Sequence, residues 1–139
     1  PFDGVVFSSI AFADIDGDHD QDILITGATG SPPTPISKLY FNDGSGNYTE
    51  SSNESIAGVH SGSIAVADVD GDDDYDLLIT GQSEFASFTQ ISKLYTNDGS
   101  GNYSEATGMP FEGVAESSIA FADVDGDNDQ DILITGITN

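Results

Sequence analysis

The stretch ADIDGDHDQD, residues 13–22, puts Asp14, Asp16, Asp18, Asp20 and Asp22 on alternate positions with no lysine or arginine among them. Carboxylates at that density repel one another wherever water is withdrawn, so a folded chain that contains them needs a counter-ion or full solvation. The stretch returns as ADVDGDDDYD at 67–76 and ADVDGDNDQD at 122–131. Whatever answers the repulsion therefore operates three times.

The repeat extends well beyond the acidic run. SSIAFADIDGDHDQDILITG at 8–27 matches SGSIAVADVDGDDDYDLLITG at 61–81 and SSIAFADVDGDNDQDILITG at 117–136. Between them lie two copies of a second unit, ISKLYFNDGSGNYTE at 36–50 and ISKLYTNDGSGNYSE at 91–105. Asp14, Asp68 and Asp123 recur 54 and then 55 residues apart, a period typical of repeat architectures. The chain divides into repeat 1 (1–54), repeat 2 (55–109) and half of a third repeat (110–139). Residue 1 is Pro, with no initiator methionine or leader pattern ahead of it, and the chain reads as a mature or excised piece of something longer.

Within a repeat the apolar pattern is that of strands. SIAFA alternates Ile10 and Phe12 against Ala11 and Ala13, the period of a pleated strand. After the acidic loop, Ile23, Leu24 and Ile25 run without interruption, as in a strand buried on both faces. SKLYF and NYTE then flank NDGSG, whose Asn, Asp and glycines suit the positive φ angles of a tight hairpin. No segment has a helical period. Each repeat is thus expected to be four antiparallel strands in two hairpins. Such a sheet cannot bury two apolar faces alone, so successive sheets stack. The expected fold class is all-β, with propeller-type blades numbering about two and a half, open unless completed by further repeats or other chains. An open β-solenoid or a sandwich stack is the alternative.

Composition narrows the partners. Of 139 residues 25 are acidic and two are basic, both lysines, for a formal charge of −23. That charge argues against nucleic acid and anionic membrane as partners. Acidity of this order also marks disordered chains, but 37% of the residues are hydrophobic and they fall in organised runs. There is no cysteine for a disulfide or a thiolate metal site, and no apolar run long enough for a membrane-spanning helix.

The acidic loop itself has the oxygen spacing of a hard-cation site. Asp14, Asp16, Asp18 and Asp22 stand at positions 1, 3, 5 and 9, and Asp20, at position 7, falls where such loops offer a backbone carbonyl. The other sets are Asp68, Asp70, Asp72, Asp74 and Asp76, then Asp123, Asp125, Asp127, Asp129 and Asp131. Oxygen ligands without His or Cys favour calcium over zinc or copper, and Mg²⁺ is disfavoured because it keeps several waters. About three Ca²⁺, one per loop, are expected. Position 6, where calcium loops turn sharply, holds His19, Asp73 and Asn128. These are the non-glycine types most tolerant of left-handed backbone geometry. A helix-loop-helix calcium motif does not fit, because Ile25, Ile79 and Ile134 stand where its bidentate Glu belongs.

The run DxDGDxDxD followed by ILITG, with FDGV or FEGV upstream and KLYFNDGSGNYTE downstream, resembles the FG-GAP and VCBS repeats of bacterial surface proteins. It is also similar to the calcium-binding blades of integrin α-subunit propellers. The resemblance implies a β-propeller in which each loop joins the first two strands of a blade and binds one Ca²⁺ through the five aspartates of its set. Where the family reads GAP, this chain has GAT, GQS and GIT, and its loops carry Gly at position 4 rather than 6. The implied role is a non-catalytic module of a secreted or cell-surface protein, bacterial in type, acting in adhesion or in protein or glycan binding. A self-assembling filament or sheath protein, made of further copies of the chain, is the alternative, and an accessory module of a secreted enzyme a minor one.

Other residues carry less. Lys38 and Lys93 occupy one repeat position and read as solvated or edge-protecting strand lysines, with anchoring of acidic neighbours or contact with a ligand as the alternatives. His19 and His60 form no zinc-type pair, and no GxSxG elbow is present, so catalysis is not expected. Asn47, Asn53 and Asn102 fit the N-glycosylation pattern, although Asn47 and Asn102 sit where a glycine turn favours Asn anyway. Tyr40, Tyr48, Tyr95 and Tyr103 recur with the repeat and read as blade packing, with a sugar platform as the alternative.

Overall fold

A computed structural model describes residues 2–52 and 55–138. Asn53, one of the three glycosylation-pattern asparagines, lies outside them. The described residues form ten strands and no helix. The first sheet is β1 (Val6–Ala13), β2 (Asp22–Thr29), β3 (Thr34–Asn42) and β4 (Tyr48–Glu50), and the second is β5 (Ile64–Ala67), β6 (Asp76–Gln82), β7 (Gln90–Asn97) and β8 (Tyr103–Glu105). A third sheet holds only β9 (Ala115–Ala122) and β10 (Asp131–Ile137). Spatial order follows chain order and every pairing is antiparallel, giving two complete four-stranded blades and one half-blade in an open arrangement.

Register explains why the strand after the acidic loop must be apolar on both faces. In blade 1, Ala11 lies opposite Leu24 and Leu24 opposite Leu39, while Phe12 and Tyr40 flank Ile23. The two sets point to opposite sides of the sheet. Leu24 and Leu39 enter the main core, where they meet Ile64, Leu77, Ile79, Tyr95 and Tyr103 of blade 2. Ile23, Ile25 and Tyr40 form a second cluster on the far face, covered by Val5 and Tyr48. Phe2 adds edge-on ring contacts to Tyr40 and Tyr48 at 5.0 and 5.5 Å. Full burial of one such aliphatic or aromatic side chain contributes about 1.5–3 kcal/mol, so the blade-to-blade joint is the main source of stability.

The segment ahead of each blade packs between sheets. Ile56 and Val59 are buried in the joint, Val59 bridges to Ile36 of blade 1, and His60 bridges to Gln82 of blade 2. A side chain at Gly58 would meet the Pro35 carbonyl at 2.5 Å, so only glycine lets this segment lie on β3. A backbone ladder links the blades at one edge: Ser61 N–H donates to the Phe7 carbonyl at 2.9 Å and Glu116 N–H to the Ser61 carbonyl at 2.6 Å. Phe7, Ser61 and Glu116 are repeat equivalents, and all three have positive φ, 53°, 53° and 47°. That strained residue had no signature in the sequence, since Phe, Ser and Glu share no turn preference.

Two expectations need correction. Asn42, Asp43, Asn97 and Asp98 do not supply positive φ to the hairpins. Gly44, Gly46, Gly99 and Gly101 do, at 72° to 81°, while the Asp43 and Asp98 carboxylates accept backbone N–H groups of their own turns. The lysines are not merely solvated either. Lys38 Nζ pairs with Asp3 at 2.6 Å and Glu50 at 2.8 Å, and Lys93 Nζ pairs with Glu105 at 2.7 Å.

Candidate metal centres

Each acidic loop joins the first two strands of its sheet, and its ninth residue is where the return strand begins. Asp22 is the first residue of β2 and faces Ala13, the last residue of β1; Asp76 faces Ala67 and Asp131 faces Ala122 in the same way. That register drives the Asp22 and Asp76 side chains inward, where both are fully buried. Their oxygens are then used by the backbone. Ile15 N–H donates to Asp22 Oδ2 at 2.9 Å and Asn42 N–H to Oδ1 at 2.8 Å; Val69 and Asn97 do the same for Asp76 at 2.9 and 3.0 Å. The position-9 carboxylate thus ties the loop's second residue to the end of the third strand. Asp131 retains only the first of these bonds, from Val124 N–H at 2.9 Å, because no third strand follows it among the described residues.

The remaining turns are closed by positions 1 and 5. Asp68 accepts N–H bonds from Gly71, Asp72 and Asp73, and Asp123 accepts them from Gly126, Asp127 and Asn128. Asp14 accepts from His19 N–H at 3.0 Å. Asp18, Asp72 and Asp127 each accept the N–H two residues on, at 2.9–3.0 Å. His19, Asp73 and Asn128 have φ of 74°, 71° and 72°, the left-handed geometry anticipated at position 6, and Gly17, Gly71 and Gly126 share it at position 4. The carbonyl of position 8 is held by the fourth strand: Tyr48 Oη donates to Gln21 O at 3.2 Å and Tyr103 Oη to Tyr75 O at 3.0 Å. Position 8 therefore works through its backbone, which explains why its side chain varies.

In this frame three carboxylates per loop converge. Asp14, Asp16 and Asp18 each bring an oxygen within 4.8 Å of the others, as do Asp68, Asp70 and Asp76, and Asp123, Asp125 and Asp127. Asp20, Asp22, Asp72, Asp74, Asp129 and Asp131 stand outside these triads. The position-7 side chains turn to the neighbouring hairpin, Asp20 lying over Gly44 and Asp74 over Gly99. Each of the first two triads holds a carboxyl that is pushed upward. Burial, then Asp22, Asp18 and Asp14, pushes the Asp16 carboxyl above its ordinary range. Asp70 and Asp74 are raised in the same way, first by desolvation and then by neighbouring carboxylates. Asp76 is raised by burial against the opposing pull of its two N–H donors.

The fit to a cation is tested by what the chain leaves unsatisfied. Asp14 Oδ1 and Asp16 Oδ1 are buried with no hydrogen-bond partner, although buried polar atoms are almost always paired. Both lysines are engaged elsewhere, and the nearest basic side chain to the first triad is the exposed imidazole of His19, 3.3 Å from Asp14. Two orphaned carboxylate oxygens in a loop whose carboxylates converge could serve as ligands of a hard divalent ion.

Residues 14–79, which hold the first two acidic loops and the hairpin between them, match the family model of the FG-GAP-like repeat. That stretch is an FG-GAP-like repeat. No curated protein and no solved structure matches the chain significantly. FG-GAP-like repeats are typical of extracellular and surface proteins and are typically non-catalytic. The first two acidic loops, with Gly17 and Gly71 and the strand β2, are inside the matched region, and the third loop, at 123–131, lies beyond it. One contributor to the first loop was not visible in sequence. Asn97, at the end of β7 in blade 2, is buried and its Nδ2 donates to the Ile15 carbonyl of blade 1 at 2.8 Å, across 82 residues of chain. The available clue was that Asn42 and Asn97 hold the same repeat position while the residue before them changes from Phe41 to Thr96.

Proposed function

We propose that this chain is a calcium-binding FG-GAP-like repeat module of a secreted or surface-displayed protein, non-catalytic and acting in adhesion to a protein or glycan. The observation that carries the reading is the pair of buried, partnerless oxygens on Asp14 and Asp16, inside a triad that no side-chain cation neutralises. Asp14, Asp16 and Asp18 would hold the ion in the first loop, with Asp20 and Asp22 completing the set. Asp68, Asp70, Asp72, Asp74 and Asp76 would hold it in the second, and Asp123, Asp125, Asp127, Asp129 and Asp131 in the third. A carboxylate oxygen that accepts an N–H retains a second lone pair for a cation, so the backbone bonds of Asp22 and Asp76 are compatible with ligation. The ion supplies charge neutralisation and shape rather than chemistry. An affinity near 10⁻⁴ to 10⁻³ M, about that of extracellular modules, would keep the sites filled only where calcium is plentiful.

Adhesion is supported by the face that carries the loops. An open groove of about 430 Å³ runs between the second and third, lined by Val66, Asp68, Tyr75, Phe121 and Asn128. Its acidic rim with an exposed Tyr75 suits a ligand bridged by the bound ions or stacked on the ring.

Thermal unfolding with calcium, and with calcium removed by EDTA, tests the reading. At a calcium level 100-fold above Kd each ion bound only to the folded state adds about 2.7 kcal/mol, so the transition moves up by many degrees. Equal transitions in calcium and EDTA overturn it. A second reading, assembly from copies of the chain or further repeats, is favoured by the outer faces of the array. Ile10 and Phe12 are 56% and 58% exposed on blade 1, and Leu133 is 63% exposed on the half-blade, whereas its repeat equivalents Leu24 and Leu78 are fully buried. Light scattering separates the two: a defined small species supports the module, and mass that grows with concentration supports a fibre.

A further inference from the structure

The three acidic loops have nearly the same sequence, yet their surroundings form a graded series. The residue at position 2 is 2% exposed in the first loop (Ile15), half-buried in the second (Val69) and 78% exposed in the third (Val124). The cause is the hairpin of the following blade. The turn that ends β7 lies against the first loop: Asn97 Nδ2 holds the Ile15 carbonyl, and the Gly99 carbonyl is 3.6 Å from where a Cβ on Gly17 would be. Gly101 sits so close over blade 1 that a Cβ there would come 2.5 Å from Phe41 Cζ and 3.6 Å from Ile15 Cγ2. Asn97 is fixed for this task from its own side, because its Oδ1 accepts Gly101 N–H at 3.1 Å and its N–H is held by Asp76. The second loop is followed only by the two strands of the half-blade, and the third by none among the described residues.

We infer that Asn97 is a positioning residue for the first metal centre, and that ion affinity in this protein is set by the hairpin of the next blade, so that the first loop binds most tightly. The inference rests on the calcium reading above. Its physical basis is preorganisation. Ile15 lies between Asp14 and Asp16, two of the three converging ligands, and fixing its carbonyl from outside the loop fixes the backbone that carries both. The ion then spends less of its binding energy on ordering the loop. The two orphaned carboxylate oxygens occur in this first loop and, among the described residues, in neither of the others. Linkage makes the effect reciprocal: an ion in the first loop strengthens docking of blade 2's hairpin on blade 1 by the factor that docking strengthens the ion.

Calorimetric calcium titration of the whole chain tests this, with Asp14→Ala used to identify the signal of the first loop. The expected result is one tight phase and weaker ones, the tight phase missing in Asp14→Ala. Asn97→Ala is expected to weaken that phase about tenfold, the lower end of the effect of removing an outer-shell partner, and to leave the weaker phases unchanged. Asn97→Asp keeps the acceptor for Gly101 N–H and loses the donor to Ile15, so it is expected to weaken the same phase. Circular dichroism and the unchanged weak phases show that either variant is folded. Three equal affinities in the parent protein, or a tight phase unmoved in both variants, overturn the inference while leaving the calcium reading intact. Absence of any calcium binding overturns the calcium reading itself.

Discussion

The first and third acidic loops are two experiments on one sequence. Residues 8–27 and 117–136 differ at only two positions, Ile15 against Val124 and His19 against Asn128, and both loops adopt the same positive-φ turn and the same converging triad. One is closed over by the adjacent blade and the other faces solvent. The difference teaches that the aspartate spacing dictates the internal shape of the loop, whereas burial of its apolar and charged residues is dictated by a neighbour more than 70 residues away. Burial, and the stability that comes with it, belongs to the joint between blades as much as to the motif.

The sharpest way to break that comparison is at position 9. Asp22 and Asp131 are repeat equivalents, and in EDTA, with no ion in either loop, a difference between their alanine variants reports the backbone bonds. Asp22 is fully buried and holds the N–H groups of Ile15 and Asn42, each bond to a charged acceptor being worth about 1.5–3 kcal/mol. Asp22→Ala is therefore expected to cost about 3–6 kcal/mol in denaturant unfolding beyond any loss of metal, from two such bonds. Asp131→Ala removes one solvent-exposed bond and is expected to cost less than about 1 kcal/mol. Similar costs would mean that the neighbouring blade does not matter.

A smaller contrast is expected at position 2. Ile15→Ala deletes a side chain packed beneath Gly101 and the β7 turn, and substitutions of that kind cost about 2–5 kcal/mol. Val124→Ala, with the same place in the repeat and 78% exposure, is expected to fall within about 0.5 kcal/mol of the parent. Unfolding midpoints of the two variants, measured in saturating calcium, decide it.

The elements of the fold that depend on local pattern were legible in the sequence. Alternation in SIAFA, the apolar run of DILIT and the glycines of NDGSG give β1, β2 and the β3–β4 hairpin, because strand period and turn stereochemistry are properties of neighbouring residues. Position 6 of the loop was legible for the same reason. What could not be read concerns contacts between repeats. Asn97 looks like an ordinary turn residue until blade 2 is docked on blade 1, and Lys38 looks like an exposed strand lysine until Asp3 is folded back beside it. The buried role of Asp22 was hidden too. In sequence it is the fifth of five equivalent aspartates, and only the register placing it opposite Ala13 singles it out.

The smallest expected effect lies at the joint itself, just before the second blade begins. Position 60 is His, buried to 3% exposure, stacked on Phe85 at 3.9 Å and bonded through Nδ1 to Ser61 Oγ, with Nε2 buried and unpartnered. Its equivalent on the open face of blade 1 is Val6, 55% exposed. Burial alone holds the His60 pKa below its ordinary value. Above a pH of about 6.5 the ring is neutral in both folded and unfolded chains and contributes no pH dependence. Below it the unfolded chain takes up a proton that the folded joint refuses, so stability is lost as pH falls, with a slope of at most about 1.4 kcal/mol per pH unit. The carboxylates titrate in the same direction or against it, but they are common to the parent and to His60→Phe. The difference between the two proteins in denaturant unfolding from about pH 7 to pH 5 is then the contribution of this one ring. The variant is expected to show the flatter profile. Parallel profiles would place His60 in contact with water, and with it the joint between the first two blades would lose its claim to be closed.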